Sequence, residues 1–217
     1  MELARRVAVV TGGGSGIGRA MCEAFAREGA TVVVADIDEA AAAAVVQSVR
    51  ARGGEALGVR TDVSGLASVQ ALADTTCKTF GKVHVLCNNA GVALWGGLES
   101  ATHVYNTSKY AVVGLSETLA KDLRPHGLGV SVLCPMGVAT QIRASARNRP
   151  ARLANPAPSA GEPVELMGRT LDPAAVADMV VDAIRTNRLY VITHEEGLEA
   201  LRRRHERLEQ ALLQPKA

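Results

Sequence analysis

Val7-Ala8-Val9-Val10-Thr11-Gly12-Gly13-Gly14-Ser15-Gly16-Ile17-Gly18 decides the fold of this 217-residue chain. Its first four residues form an unbroken apolar run, the pattern of a parallel strand buried on both faces. A glycine-rich turn follows. From Ile17 to Glu28 apolar residues recur at helical spacing until Gly29 stops the helix. Gly12 allows the tight turn, while Gly16 and Gly18 let backbone approach a pyrophosphate and let the helix pack close to the sheet. The helix N-terminus adds unpaired N–H groups and a favourable dipole, so the turn is a candidate phosphate cradle. The spacing is Gly-x3-Gly-x-Gly, which differs from the commoner Gly-x-Gly-x-x-Gly fingerprint.

The alternation continues outward from this unit. Thr31 to Ala35 is a second strand, β-branched almost throughout, and Glu39 to Ala51 is an alanine-rich helix closed by Gly53-Gly54. Ala56 to Arg60 is a third strand, Ser64 is placed to cap a helix running to about Phe80, and Val83 to Cys87 is a fourth strand. Tyr105 to about Leu123 is a helix ended by Pro125 and Gly127, and Val130 to Leu133 is the next strand. Asp172 caps a helix from Pro173 to Ile184, Leu189 to Ile192 is a last short strand, and Glu195 to Leu213 is a polar helix. This repetition predicts a doubly wound α/β domain: a parallel sheet covered on both faces, with a crevice at the carboxyl ends of its strands. No repeat or linker divides residues 1–217, which read as a single domain. Residues 139–170, rich in Ala, Pro and Arg, read as a mobile lid over the site.

Composition narrows the function classes. With 47% hydrophobic and 21% charged residues the chain is a folded globular protein. Only 3% aromatic residues and a net charge of +2 argue against a nucleic-acid surface, and no apolar run reaches the length of a membrane span. Met1 to Arg6 runs straight into the first strand and leaves no room for a signal peptide. Cys22, Cys77, Cys87 and Cys134 lack metal-ligand spacing and read as reduced thiols of a cytoplasmic protein, three of them in apolar strand or helix patterns. His84, His103, His126 and His194 show no such spacing either. The Arg143, Arg147, Arg149, Arg152 cluster reads as a solvated loop, with attraction of an anionic substrate as the alternative. The Arg202-Arg203-Arg204-His205 run reads as the exposed face of the last helix or an oligomer rim.

Two further positions carry chemistry. Asp36 ends the second strand, 18 positions after Gly18, where a carboxylate can accept both ribose hydroxyls of an adenosine and would repel a 2′-phosphate. With Ile37 following it, this favours NAD over NADP; capping of the helix that starts near Asp38 is the plainer reading. Tyr105 and Lys109 are four apart on one helix and share a face. A free phenol titrates near 10 and is a poor acid–base catalyst at neutral pH, but a nearby ammonium stabilises the phenolate.

Together these pieces resemble the short-chain dehydrogenase/reductase family over nearly the whole chain. The matching segments are Thr11-Gly-Gly-Gly-Ser-Gly-Ile-Gly18, Asp36, Asp62-Val63, Asn88-Asn89-Ala90-Gly91, Tyr105-x-x-x-Lys109, and Pro135 with Thr140. The resemblance implies a Rossmann-like, NAD-dependent oxidoreductase that interconverts a small-molecule alcohol and carbonyl by hydride transfer, assembled as a homodimer or homotetramer. It implies Gly12, Ser15, Gly16, Ile17 and Gly18 around the pyrophosphate and Asp62 and Val63 against the adenine, although a helix-cap role is a rival for Asp62. It implies that Asn89, Ala90 and Gly91 hold the central strand and line the cofactor. Tyr105 would be the general acid/base, with Lys109 on the nicotinamide ribose. The turn from Pro135 to Thr140 would meet the carboxamide, with Met136 where the family has a glycine.

One departure bears on function. Asn89 and Tyr105 are 16 positions apart, whereas the family places there a helix with a catalytic asparagine and a strand with a catalytic serine. A parallel crossover alone needs about a dozen residues, so this chain lacks one helix and one strand of the pattern between Gly91 and Tyr105. Val92 to Ser100 and Val104-Tyr105 both match the family's flanks, which puts the join near His103-Val104. Ser108 precedes Lys109 and points to another face of the helix, and Ser100 and Thr102 lie in the shortened loop, so none replaces the serine. Either the sequence as read omits a segment, or the chain is an internal deletion product, or it is a genuinely short relative. A non-catalytic NAD-binding protein is therefore the alternative function, and a related epimerase or dehydratase using the same Tyr and Lys is a third.

Overall fold

The computed structural model describes residues 1–92, 102–148 and 168–213. β1 (Val7–Thr11) leads into α1 (Gly16–Arg27), β2 (Thr31–Asp36) into α2 (Glu39–Ala51), and β3 (Ala56–Arg60) into α3 (Leu66–Phe80), before β4 (Val85–Cys87). α4 (Thr102–Leu123), β5 (Val132–Cys134), α5 (Pro173–Thr186), β6 (Tyr190–Ile192) and α6 (Leu198–Leu213) follow, with 3-10 turns at Arg124–His126, Ile142–Asn148 and Glu195–Gly197.

The strands order as β3-β2-β1-β4, all parallel, with Val9 opposite Val33 on one side and Leu86 on the other. Successive side chains of a strand point to opposite faces, and both faces are covered here. Ala8, Val10, Val32 and Val34 pack with Phe25, Val45 and Val181, while Val7, Val9, Val33 and Ala35 pack with Leu72 on the other side. Burial on both faces is why β1 and β2 read as unbroken apolar runs. α5 lies along α1, its Val176 and Ala177 fully buried, and the Arg27–Asp178 ion pair joins the two helices.

Local signals acted as their chemistry dictates. Asp38 caps α2 by accepting from Ala41 N at 3.0 Å, and Asp172 caps α5 from Ala174 N at 2.7 Å, with Pro173 as first helical residue. Ser64 does not cap α3. Gly65 holds that position, because Asp62 Oδ1 takes both the Ser64 N–H and its hydroxyl into a turn of its own. All four cysteines are free thiols; Cys77 is exposed and Cys22 buried, and burial pushes the Cys87 thiol up to about 12.

Among the described residues the parallel strands form two ladders. β4 pairs with β1, β5 pairs with β6 in a separate two-stranded sheet, and among the described residues no ladder joins β4 to β5. The division falls at the interval that the sequence reads as too short for the family's helix and strand. Leu86 on β4 is 58% exposed. Tyr110, Val112 and Leu115 on α4 are exposed as well. Of the expected lid, residues 149–167 lie outside the described residues. Two substitutions separate a closed core from an open edge. Phe25→Ala, at a fully buried position, is expected to cost about 3–5 kcal/mol in urea unfolding, and Leu86→Ala less than about 0.5 kcal/mol.

Candidate functional site at the carboxyl edge of the sheet

The glycine turn between β1 and α1 is held from two sides. Gly12 and Gly16 adopt positive φ of 65° and 53°, a backbone region that a side chain resists. A Cβ at Gly18 would run into the Gly12 carbonyl oxygen and lie 2.5 Å from Asn89 Nδ2, so only glycine lets α1 start this close to the turn. Asn89 clamps the turn from β4: its Nδ2 donates to Thr11 O at 2.9 Å and to Gly12 O at 3.3 Å. The Thr11 hydroxyl accepts from Asn89 N and Ala90 N and donates to Cys87 O. The Asn-Ala-Gly segment thus fastens the ends of β1 and β4 together.

On the other side, Asp36 is 7% exposed, and its carboxylate accepts from Gly14 N at 2.9 Å and from Asp38 N at 3.0 Å. Since Asp38 caps α2, Asp36 is not the helix cap. A Cβ at Gly14 would sit 2.9 Å from Asp36 Oδ2. The missing side chain keeps the carboxylate against the turn. A groove of about 860 Å³ runs past Gly14, Ser15, Gly16 and Asp36 to Thr140 and Arg147. Thr140 packs over the turn: its Cγ2 would meet a Cβ at Gly16 at 3.1 Å. Ile17 is half-buried against the core.

Tyr105 and Lys109 lie on α4, as their spacing requires, and Lys109 Nζ stands over the Tyr105 ring, 5.1 Å from its centroid. The same Nζ is 3.8 Å from where a Cβ on Gly91 would be, which brings the pair to the end of the Asn-Ala-Gly segment. The ammonium covers the ring face, and burial of the phenol raises its pKa. The lowering expected from the Tyr–Lys spacing is not found. Ser108 Oγ donates back to Tyr105 O at 2.7 Å, and Ser100 lies outside the described residues.

Of the other expected contacts, Asp62 bonds to Ser64 in the turn after β3, Val63 in that turn is 49% exposed, and Pro135 is exposed after β5. Sequence reasoning missed Thr11 as the link between β1 and β4. It also missed His194, which is buried and bridges the Thr193 hydroxyl (2.6 Å) and Arg169 O (2.9 Å), tying the chain after residue 167 to β6. A lone histidine after a short strand gives no sequence signal for either bond. Among the described residues no group of three His, Cys, Asp or Glu could hold a metal ion, and no helix is long and apolar enough to cross a membrane.

Two outcomes follow from this geometry. Gly18→Ala is expected to destabilise the fold and abolish nucleotide binding together, read by thermal unfolding and calorimetry. In a spectrophotometric titration the difference between the protein and Tyr105→Phe has its midpoint above 10, because burial favours the neutral phenol. The sign for stability follows: above pH 10 the unfolded chain loses this proton first, so Tyr105 lowers stability as pH rises from there.

A family model described as short chain dehydrogenase matches in two pieces, residues 6–103 and 98–151, which meet where the sequence places the join. A crystal structure of a short chain dehydrogenase/reductase from Burkholderia phymatum in complex with NAD is 36% identical, with a TM-score of 0.86 over 100% of this chain and 99% of that one. 1-Deoxy-11-beta-hydroxypentalenate dehydrogenase of Streptomyces exfoliatus is 30% identical, covering 93% of this chain and 88% of its own. That alignment runs over 254 positions, which exceeds the 217 residues of this chain by 37. 2,5-Dichloro-2,5-cyclohexadiene-1,4-diol dehydrogenase of Sphingobium indicum is 44% identical over 98 residues, 45% of this chain and 39% of its own. The glycine turn, the asparagine clamp and the Tyr–Lys helix, in this order on this sheet, place the chain in the short-chain dehydrogenase/reductase family of oxidoreductases.

Proposed function

We propose that this protein binds NAD across the carboxyl edge of β1 and β2 and interconverts a small-molecule alcohol and its carbonyl, with Tyr105 as the acid/base. The observation that carries the reading is contiguity. Asp36 bonds to the glycine turn, Asn89 clamps that turn to β4, and Gly91 at the end of the clamp meets Lys109, which covers Tyr105. The residues fit a dinucleotide. Gly14 leaves open the space beside a buried carboxylate that can accept ribose hydroxyls, and α1 offers its N-terminus to a pyrophosphate. The same carboxylate would repel a 2′-phosphate, which supports NAD over NADP; the 36% identical Burkholderia phymatum protein is described as an NAD complex. Asp62 and Val63 are assigned to the adenine, and Pro135 and Thr140 to the nicotinamide end. Residues 139–170 are assigned as a cover within a single cofactor-binding domain.

The bound nicotinamide supplies or accepts the hydride. The Tyr105 hydroxyl gives a proton to the carbonyl oxygen in reduction and takes it from the alcohol in oxidation. Lys109 contributes positive charge that favours the phenolate. Because burial raises the Tyr105 pKa, oxidation gains rate as pH rises on the alkaline side and reduction loses it there. Charge and composition name no macromolecular partner of another class, and self-association of this chain is part of the proposal.

The divided sheet favours a second reading, a non-catalytic NAD-binding protein. Only residues 88–101 connect β4 to α4, too few for both the crossover helix and the serine-bearing strand that the family resemblance implies, and near-attack geometry tolerates little misplacement. Calorimetry and turnover on a panel of secondary alcohols separate the two. Tyr105→Phe is expected to lower turnover by about 100-fold or more while leaving NAD affinity nearly unchanged. Asp36→Ala is expected to weaken NAD by about tenfold or more, from the loss of charged hydrogen bonds worth roughly 1.5–3 kcal/mol. Full turnover by Tyr105→Phe would sink the mechanism. Tight NAD binding with no turnover on any alcohol would establish the second reading.

A further inference from the structure

α6 carries a pattern that the cofactor site does not use. Leu198, Leu201, His205, Leu208 and Leu212 recur at alternating spacings of three and four, which lines them up on one face as a coiled-coil seam. None of the helix is buried: Leu198 is 48% exposed, Leu201 45%, Leu208 53% and Leu212 85%. A shallow groove of about 540 Å³ runs along Leu201, His205 and Leu208. α6 touches α4 through the Arg204 guanidinium, which lies 5.3 Å from the Tyr110 ring centroid, a contact beside the seam that leaves its leucines open.

We propose that this face docks a second copy of the same helix, antiparallel, about a two-fold axis. The argument for that occupant is the charge beside the seam. Arg202 and Glu209 are seven residues apart on the same flank, directly after Leu201 and Leu208. Antiparallel seams bring like flanks together, so each copy's Arg202 faces the other's Glu209 and two opposite-charge pairs close the interface. Within one copy, Arg202 makes no ion pair among the described residues, and Glu209 meets only the exposed His205, at 3.3 Å. The same register sets Leu201 against Leu212 and His205 against Leu208. A partner of uniform charge would leave one of the two flanking residues opposed by its own sign. The inference rests on the self-association proposed above and is independent of chemistry at Tyr105.

Sedimentation equilibrium of the full chain across a wide concentration range tests it. The protein is expected to dimerise reversibly, and the Leu201→Glu/Leu208→Glu variant to sediment as the 22.6 kDa monomer. Circular dichroism and NAD calorimetry should stay unchanged, because these leucines are exposed and lie outside the cofactor groove. Arg202→Glu alone is expected to weaken dimerisation by about tenfold, and Arg202→Glu with Glu209→Arg to restore it. A chain that stays monomeric at every concentration overturns both self-association and this surface. A dimer that survives the double leucine change overturns the surface alone, and failure of the charge swap to restore pairing overturns the antiparallel arrangement.

Discussion

The site depends on the bond network between Asn89, Thr11 and Gly12. A parallel sheet leaves the carbonyls at its carboxyl edge without ladder partners, and two of them here belong to the turn that must hold its shape. One amide side chain from β4 satisfies both, while the Thr11 hydroxyl accepts the backbone N–H groups of Asn89 and Ala90. The turn conformation, the start of α1 and the position of Gly91 are consequences of the same fastening. Gly91 in turn lies beside the Lys109 ammonium. A carboxamide suits this place because it donates to two carbonyls without carrying charge into a half-buried edge.

Tension between the two halves of the molecule comes from the division of the sheet. β1 and β2 have a neighbour on each side and helices on both faces, and their residues are almost all buried. Among the described residues β4 pairs with β1 alone, is three residues long and leaves Leu86 exposed. An open edge flanked by apolar surface is what folded proteins cover or blunt. On α4, which carries Tyr105 and Lys109, Tyr110, Val112 and Leu115 are exposed as well. The cofactor half is therefore built on a closed core, and the substrate half on elements with fewer supports.

Burial and charge act on Tyr105 in opposite senses. Spacing on a helix fixes that Tyr105 and Lys109 share a face, but not which part of the ring the ammonium approaches. Here Nζ lies over the ring face, and burial outweighs its charge, so the phenol's pKa is raised. Asp36 is the reverse case: its environment turns a residue that could have been a cap into an acceptor aimed at the glycine turn, because Asp38 takes the capping role.

The sequence by itself determined the strand–turn–helix units, the α/β class and the positions of the glycine turn, Asp36, Asn89 and the Tyr105–Lys109 pair. These follow from local rules: period, caps, positive-φ glycines and helix spacing. Element ends were less legible, as with Ser64, since a turn centred on Asp62 and a helix cap compete for the same hydroxyl. The interval before Tyr105 reads as too short for the family's helix and strand, but it does not tell how the strands on either side pair. Only the tertiary structure decided that β5 stays with β6 rather than moving to β4, that Thr11 links β1 to β4, and that His194 is a buried anchor. Those outcomes depend on contacts between residues tens of positions apart, and no local pattern encodes the balance of packing and hydrogen bonding that selects them.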